Sequence, residues 1–297
     1  MEKVIDLHIH TDKSDGVLTP FEVLDQASLN GVGVIAIADH DTIAAYTDEL
    51  FSYAQSKNIK IIPAVEISSK INKCGIHVLG YNFDLNNEEL VEKLEKLRNA
   101  RHNYLYDVCC KLNELGYVVN QLELDKIEAV TKAHISQDVV SNAQNSDLLM
   151  KNFGHIPGKG EFIETVMNEG CPAYVKKETV TPVEASKLIK NAGGKVVLAH
   201  PVAYKYEDNL NSSDILNLVL DMEIDAIEGN YVYVDRNNNK INESDYWNSF
   251  ADSNNLISTV GSDFHNDDGI RPRIGLIGEK IDLTSGDIDK ILNYLLG

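Results

Sequence analysis

Cysteine is scarce and poorly placed for metal work, with four in 297 residues, Cys74, Cys109, Cys110 and Cys171. No C-x-x-C pair occurs and two of the four are vicinal, which excludes a thiolate-built zinc site and leaves reduced thiols as the expected state. Proline (7) and glycine (19) are too few for collagen-like or linker sequence. Basic residues are short as well, 27 Lys and Arg against 46 Asp and Glu, for a formal net charge of −19. That balance repels polyanions and disfavours sequence-general binding to duplex nucleic acid, although metal ions or a few local cations reverse the sign inside one pocket. Long apolar runs are missing too: Gly31 to Ala38 is far too short to span a bilayer. With no basic n-region, apolar h-region or small-residue cleavage site, a cytoplasmic protein with no membrane partner is expected.

What is present, 43% hydrophobic and 25% charged residues, is the composition of a folded soluble chain. At about 100–200 residues per domain, the length fits two domains or one α/β barrel with an elaborated loop. Short β-rich runs recur at Val4 to His10, Val34 to Asp39, Ile61 to Ile67, Ile76 to Tyr81, Lys195 to Ala199, Ala226 to Val232 and Leu256 to Gly261. Helical patterns lie between them, so the alternation predicts βα units around a parallel sheet or barrel. Thr19-Pro20-Phe21-Glu22 and Thr181-Pro182-Val183-Glu184 each offer a hydroxyl N-cap, Pro at the first helical position and Glu at the third.

The β pattern lapses between about Leu85 and Gly170. Leu90, Val91, Leu94, Leu97, Leu105, Val108, Leu112 and Leu115 recur at three- and four-residue steps until Gly116, which predicts a long amphipathic helix. Further helices are expected over Glu123 to Ala129, His134 to Ala143 and Glu161 to Asn168. The expected organisation is therefore an α/β body over 1–84 and 171–297 with a helical insertion or cap over 85–170.

Chemistry concentrates at the strand ends. In Asp6-Leu7-His8-Ile9-His10 the alternation of a strand sends His8 and His10 to the same side. Asp15 follows, and the later strands carry His40 after Asp39, then Glu66, His77, His200 in Ala-His-Pro, and Asp263 and His265 in Gly-Ser-Asp-Phe-His. Most of these lie at C-terminal ends, the face on which parallel barrels build active sites. Nitrogen and carboxylate ligands without thiolate suit Mn, Fe or Zn, and nine candidates are too many for one ion. Two or three divalent metals bridged by a carboxylate, suited to activating water and neutralising a phosphoryl group, is the economical reading.

The ordered set, D-x-H-x-H at Asp6 to His10, Asp15, Asp39-His40, Glu66, Ala-His200-Pro and Gly-Ser-Asp263-Phe-His265, resembles the polymerase and histidinol phosphatase (PHP) family of metal-dependent phosphoesterases. It is most similar to the branch containing the nucleoside 3′,5′-bisphosphate phosphatases, in His77-Val78-Leu79-Gly80-Tyr81, in the helical insertion and in Pro172-Ala173-Tyr174-Val175. The resemblance implies an amidohydrolase-like distorted (β/α)7 barrel with a trinuclear site. It places His8, His10, Glu66 and Asp263 on one metal, with Glu66 bridging to a second held by His77 and His200. Asp15, His40 and His265 take the third. The implied activity is loss of the 3′-phosphate from a small phosphorylated metabolite, a nucleoside 3′,5′-bisphosphate, or related chemistry on short RNA ends. The alternatives are a histidinol-phosphate phosphatase and a metal-bearing scaffold without turnover.

Within the insertion, Lys132-Ala133-His134 stands where the resemblance has Arg-x-His, a change that replaces a bidentate fork by a point charge. His134 is a candidate for binding phosphate or protonating the leaving group, and Lys132, Arg101, Lys176, Lys177 and Arg273 are candidates for phosphate binding. His102 reads as an exposed helix residue and His155 as part of a turn. Glu228 reads either as a group orienting a ligand histidine or as a structural carboxylate.

Overall fold

The computed structural model describes residues 4–127, 130–176, 179–235, 237–278, 281 and 283–297, together with the backbone but not the side chain of Arg101. Two compact units result, one of residues 1–94 and 179–297, the other of residues 95–178.

The first unit holds the strands. They are β1 (Val4–Ile9), β2 (Val32–Ile37), β3 (Lys60–Ile61), β4 (Ala64–Ile71), β5 (Cys74–Tyr81), β6 (Lys195–Leu198), β7 (Ala226–Asn230), β8 (Val232–Val234), β9 (Lys240–Asn242) and β10 (Ile257–Val260). β1, β2 and β3 form one sheet in that order, β10-β7-β6-β5-β4 a second, and β8 with β9 a small hairpin. Bridges between Ile9 and Phe264 and between His40 and Glu66 connect the ends of the two larger sheets.

The expected run Ile61 to Ile67 is two strands, because Pro63 lacks the N–H that a continuous ladder needs. The break passes the chain from the β2 edge to the β5 edge. β4 then turns back through Asn72, at φ 54°, so β4/β5 and β5/β6 are antiparallel where a wholly parallel arrangement was expected. The run Ala226 to Val232 likewise divides at Tyr231 into β7 and β8.

β2 shows how the sheet is buried on both faces. Val34 and Ala36, with Ala38 just beyond, join Ile5, Leu7, Leu79 and Val197 in one cluster. Ile35 and Ile37 turn the other way, onto Val23 and Leu24 of helix Pro20–Leu29 and Leu50 of helix Asp48–Ser56. The helices begin as the sequence indicates: Thr19 with Glu22 and Thr181 with Glu184 each form a reciprocal capping box.

Helix Glu88–Glu114 begins among the residues of the first unit and ends among those of the second, the division falling between Leu94 and Glu95. Its Leu90, Leu94, Leu97, Leu105, Val108 and Leu112 are buried, whereas Val91 and Leu115 are exposed despite fitting the apolar stripe. The second unit packs Leu105, Val108 and Leu112 against Ile135, Val139, Leu149 and Phe162. Its helices are Gln121–Leu124, Lys132–Ser141, Ser146–Phe153 and Lys159–Phe162, the last running on as a π turn over Ile163–Met167. Residues 128–129, the end of the expected helix Glu123 to Ala129, lie outside the described residues.

Candidate metal centre

His8 and His10 lie at the end of β1, both fully buried, with their Nε2 atoms 3.1 Å apart. Glu66, on β4, sits among five rings. Its Oε1 is 3.0 Å from His77 Nδ1 and 3.2 Å from His200 Nε2. Its Oε2 is 3.0 Å from His40 Nδ1, 3.3 Å from His10 Nε2 and 3.5 Å from His8 Nε2. Asp263 Oδ1 lies 3.1 Å from His10 Nε2 and 3.4 Å from His8 Nε2. Asp15 Oδ1 lies 3.3 Å from His265 Nε2 and 3.5 Å from His10 Nδ1, and its Oδ2 is 3.7 Å from His40 Nε2. All nine candidate ligands thus stand in one connected cluster. Three sets in it each offer ligand atoms within 4.8 Å of one another: His10, Asp15, His40 and His265; His8, His10 and Glu66; and His40, Glu66 and His77.

Side chains behind the cluster hold it in place. Glu228 on β7 takes the His8 Nδ1–H, 3.0 and 3.1 Å from its two oxygens, which leaves His8 Nε2 as the inward lone pair. The same carboxylate accepts the His200 backbone N–H at 3.0 Å. Of the two readings of Glu228, orientation of a histidine is the one its contacts match. Asp39 accepts Thr11 N at 2.7 Å, Thr11 Oγ1 at 2.6 Å and Ser14 Oγ at 2.5 Å, and so anchors the loop that carries Asp15. Tyr231 donates its hydroxyl to Asp263 Oδ2 at 3.1 Å, and His265 donates Nδ1–H to the Asp263 carbonyl at 2.8 Å. Asp6 accepts Ser262 N and Gly275 N at 2.9 and 2.8 Å, and burial pushes its carboxyl up to about 6 against the pull of those bonds. His200 and Asp263 both hold positive φ, 22° and 51°, a conformation that non-glycine residues keep only when their surroundings impose it.

The electrostatics fit bound cations. Burial works against ionisation of Asp15, Glu66 and Asp263, yet all three lie below the usual range because imidazoles surround them. Burial holds His40 down to about 3, so its ring is neutral with a lone pair to offer. His8 and His10 present ring nitrogens to each other at 3.1 Å, a distance at which both cannot carry a proton, while the carboxylates around them call for positive charge. Divalent ions among these nitrogens and oxygens satisfy both demands, and the absence of thiolate suits Mn, Fe or Zn. His200 Nδ1 is buried with no hydrogen-bond partner among the described residues.

The other candidates from the sequence are described within their own units. His134 opens helix Lys132–Ser141 in the second unit, where its Nδ1 accepts the Thr131 N–H at 3.1 Å as half of a capping box. Lys132 Nζ donates to Asn168 Oδ1 at 2.9 Å, and Lys176 is exposed in the same unit. The side chain of Arg101, and Lys177 altogether, lie outside the described residues. Arg273, in the first unit, is exposed with Nε 3.2 Å from Asp267 Oδ1. His102 pairs with Asp125 at 2.9 Å, and His155 with Glu161 at 3.0 Å beside the turn at Gly154. Nothing in the sequence singles out Thr11, Ser14 or Tyr231. Asp39 has a signal in its place beside His40.

A buried His/carboxylate cluster with several candidate metal-binding sets at strand ends of an α/β fold is the apparatus of a metal-dependent hydrolase. Residues 6–192 match the model of the PHP domain, and the chain belongs to that family of metal-dependent phosphoesterases. It is 31% identical over 268 residues to the 5′-3′ exoribonuclease of Haemophilus influenzae, covering 89% of this chain and 91% of that one. It is 26% identical over 265 residues to the 3′,5′-nucleoside bisphosphate phosphatase of Chromobacterium violaceum, covering 88% and 87%. Among solved structures, a Bifidobacterium adolescentis protein provisionally assigned as a metal-dependent phosphoesterase aligns at TM-score 0.73 and 21% identity over 100% of this chain and 98% of its own. This chain is accordingly a phosphoester hydrolase, not a scaffold without turnover. Among the described residues no helix is long and apolar enough to cross a membrane.

Proposed function

We propose that this protein cuts the bond between phosphorus and the ribose 3′ oxygen of a 5′-phosphorylated nucleotide. In a nucleoside 3′,5′-bisphosphate that phosphorus belongs to a monoester, and in a short RNA it carries the next nucleotide. A water oxygen bonds to phosphorus, the P–O3′ bond breaks, and the departing 3′ oxygen takes up a proton. One reaction therefore serves both substrates, as the names of the two relatives suggest. The acidic balance of the chain disfavours duplex binding but does not exclude short RNA as a substrate.

Two or three divalent ions, when bound, supply Lewis-acid charge and lower the pKa of water. On this reading His8, His10, Glu66 and Asp263 would hold one, Glu66 with His77 and His200 would hold a second, and Asp15, His40 and His265 would hold a third. The chain's own part is positional: Glu228 keeps the His8 tautomer, Asp39 the Asp15 loop and Tyr231 the Asp263 carboxylate. His134 is assigned the proton for the leaving oxygen, and Lys132, Arg101, Lys176 and Arg273 contacts to substrate phosphates. The body is read as a distorted (β/α)7 barrel of which the two sheets are arcs, and the second unit as a helical insertion in its sequence.

The observation that carries the proposal is the Glu66-centred cluster in a chain whose relatives, over nearly nine-tenths of its length, are named for 3′,5′-nucleotides and RNA. The test is phosphate release from adenosine 3′,5′-bisphosphate and mononucleotide release from 5′-phosphorylated oligoribonucleotides in Mn²⁺, with and without chelator. Chelator-sensitive release from both is expected. Release from histidinol phosphate alone would replace the nucleotide reading.

A further inference from the structure

Beside the metal centre the first unit carries a cleft of about 860 Å³, lined in part by Lys240, Ser244, Asp245, Arg271 and Arg273. A smaller cavity of about 170 Å³, lined by Asp263, Ser262 and Tyr231, shares Val232, Arg271 and Pro272 with it. The two share a wall, and a candidate metal ligand lines the smaller one. Among the described residues three cations and one carboxylate line the cleft, with Asp268 and Asp267 beside the two arginines.

One wall of the cleft is the start of a helix whose first N–H, that of Ser244, is taken by Asn242 Oδ1 at 3.0 Å. This helix, Ser244–Ser253, has no cap from the side chain of Glu243, which is drawn away to Lys205 Nζ at 2.5 Å and Tyr206 Oη at 2.7 Å. Such a start favours anions. Ser244, only 4% exposed, lines the cleft, and its enclosed hydroxyl has no hydrogen-bond partner among the described residues. A buried hydroxyl left unpaired is costly unless a ligand completes it. Lys240 Nζ has no carboxylate partner among the described residues, and the Arg271–Asp268 and Arg273–Asp267 pairs, at 3.7 and 3.2 Å, are exposed contacts that hold a guanidinium only weakly.

We propose that this cleft is a subsite for the phosphodiester backbone of single-stranded RNA beyond the bond that is cut. Ser244 and the helix start receive a phosphate there, flanked by Lys240, Arg271 and Arg273. The inference rests on the nucleotide reading of the metal centre. A bisphosphate ends at the scissile phosphorus and has nothing to place in the cleft, whereas a tetranucleotide has further phosphates to bind. Asp245, on the same wall, opposes them.

The test measures affinity of the full chain in chelator, where no turnover occurs, for a labelled 5′-phosphorylated tetraribonucleotide and for adenosine 3′,5′-bisphosphate as competitor. In the Lys240→Ala/Arg271→Ala variant the ratio of tetranucleotide to bisphosphate affinity is expected to fall tenfold or more. The salt dependence of tetranucleotide binding should weaken by about 0.7 for each phosphate that the variant no longer neutralises. Asp245→Asn should raise tetranucleotide affinity two- to threefold, a gain that misfolding cannot imitate. An unaltered ratio in both variants overturns the subsite, as does an equal loss for the two ligands, which would put the mononucleotide itself in the cleft. Because binding is read without hydrolysis, a wild-type protein that cuts neither substrate would overturn the nucleotide reading while the salt slopes still decide the cleft.

Discussion

Glu228 and His8, 220 positions apart in the chain, form the closest support of the metal centre, with His8 Nδ1 3.0 and 3.1 Å from the two carboxylate oxygens. The same acid takes the His200 backbone N–H, so one side chain from β7 orients a ring on β1 and the turn that follows β6. Carboxylate support of this kind raises the basicity of an imidazole and fixes which nitrogen faces the ion.

Glu228→Gln keeps the volume and one acceptor but weakens the charge-assisted bond to His8. A loss of about 10- to 100-fold in metal affinity is expected, with the far-ultraviolet circular dichroism retained. Titration of the chelated protein with Mn²⁺ measures it. Wild-type affinity would reduce Glu228 to a structural carboxylate.

Gly261 is the only residue type that fits where β10 ends, since a Cβ there would collide with His8 Cβ and with Glu228 Oε1. Neither neighbour can give way, because each is buried and hydrogen-bonded to the other. Overpacking of this kind costs about 1–3 kcal/mol. Gly261→Ala should lower the melting temperature by several degrees and cut metal content and turnover together. A variant with normal melting and full metal loading would show that the strand end yields.

How far the sequence foretells this arrangement depends on what kind of information each feature needs. The nine ligand candidates are legible because imidazoles and carboxylates recur at strand ends, and strand ends follow from local patterning. Their supports are less so: Tyr231 under Asp263, or Thr11 and Ser14 under Asp39, are ordinary polar residues whose partners lie 25 to 32 positions away. The antiparallel turn at Asn72 is hidden because parallel and antiparallel strands share the same two-residue alternation. Val91 and Leu115 fit the helical stripe by spacing, yet only the packing of neighbouring elements decides which apolar positions are covered.

Burial pushes the Cys109 thiol up to about 12, whereas an ordinary cysteine ionises near 8.5. The thiolate is the reactive form, so Cys109 should alkylate about 10³-fold more slowly than a free thiol at pH 8.5. Cys74, Cys110 and Cys171, each half-buried and outside any disulfide, should react ahead of it. Peptide mapping after iodoacetamide treatment reads the order, and early modification of Cys109 would mean that the core around helix Glu88–Glu114 opens readily.

Removing the metals should cost stability as well as activity. Asp15, Glu66 and Asp263 are held as anions within 3.7 Å of imidazole nitrogens that a bound ion uses as neutral ligands. A ligand bound only by the folded state adds about 2.7 kcal/mol when present at 100 times its Kd, so chelation should lower the melting temperature and Mn²⁺ should restore it in a concentration-dependent way. Asp263→Asn separates this effect from nonspecific ion binding, because it removes one charged ligand while keeping an acceptor for Tyr231. The variant should lose turnover and show a smaller Mn²⁺-induced rise in melting temperature. Equal stabilisation of variant and wild type would place the stabilising ion outside the cluster, whereas retained turnover would remove Asp263 from the reaction.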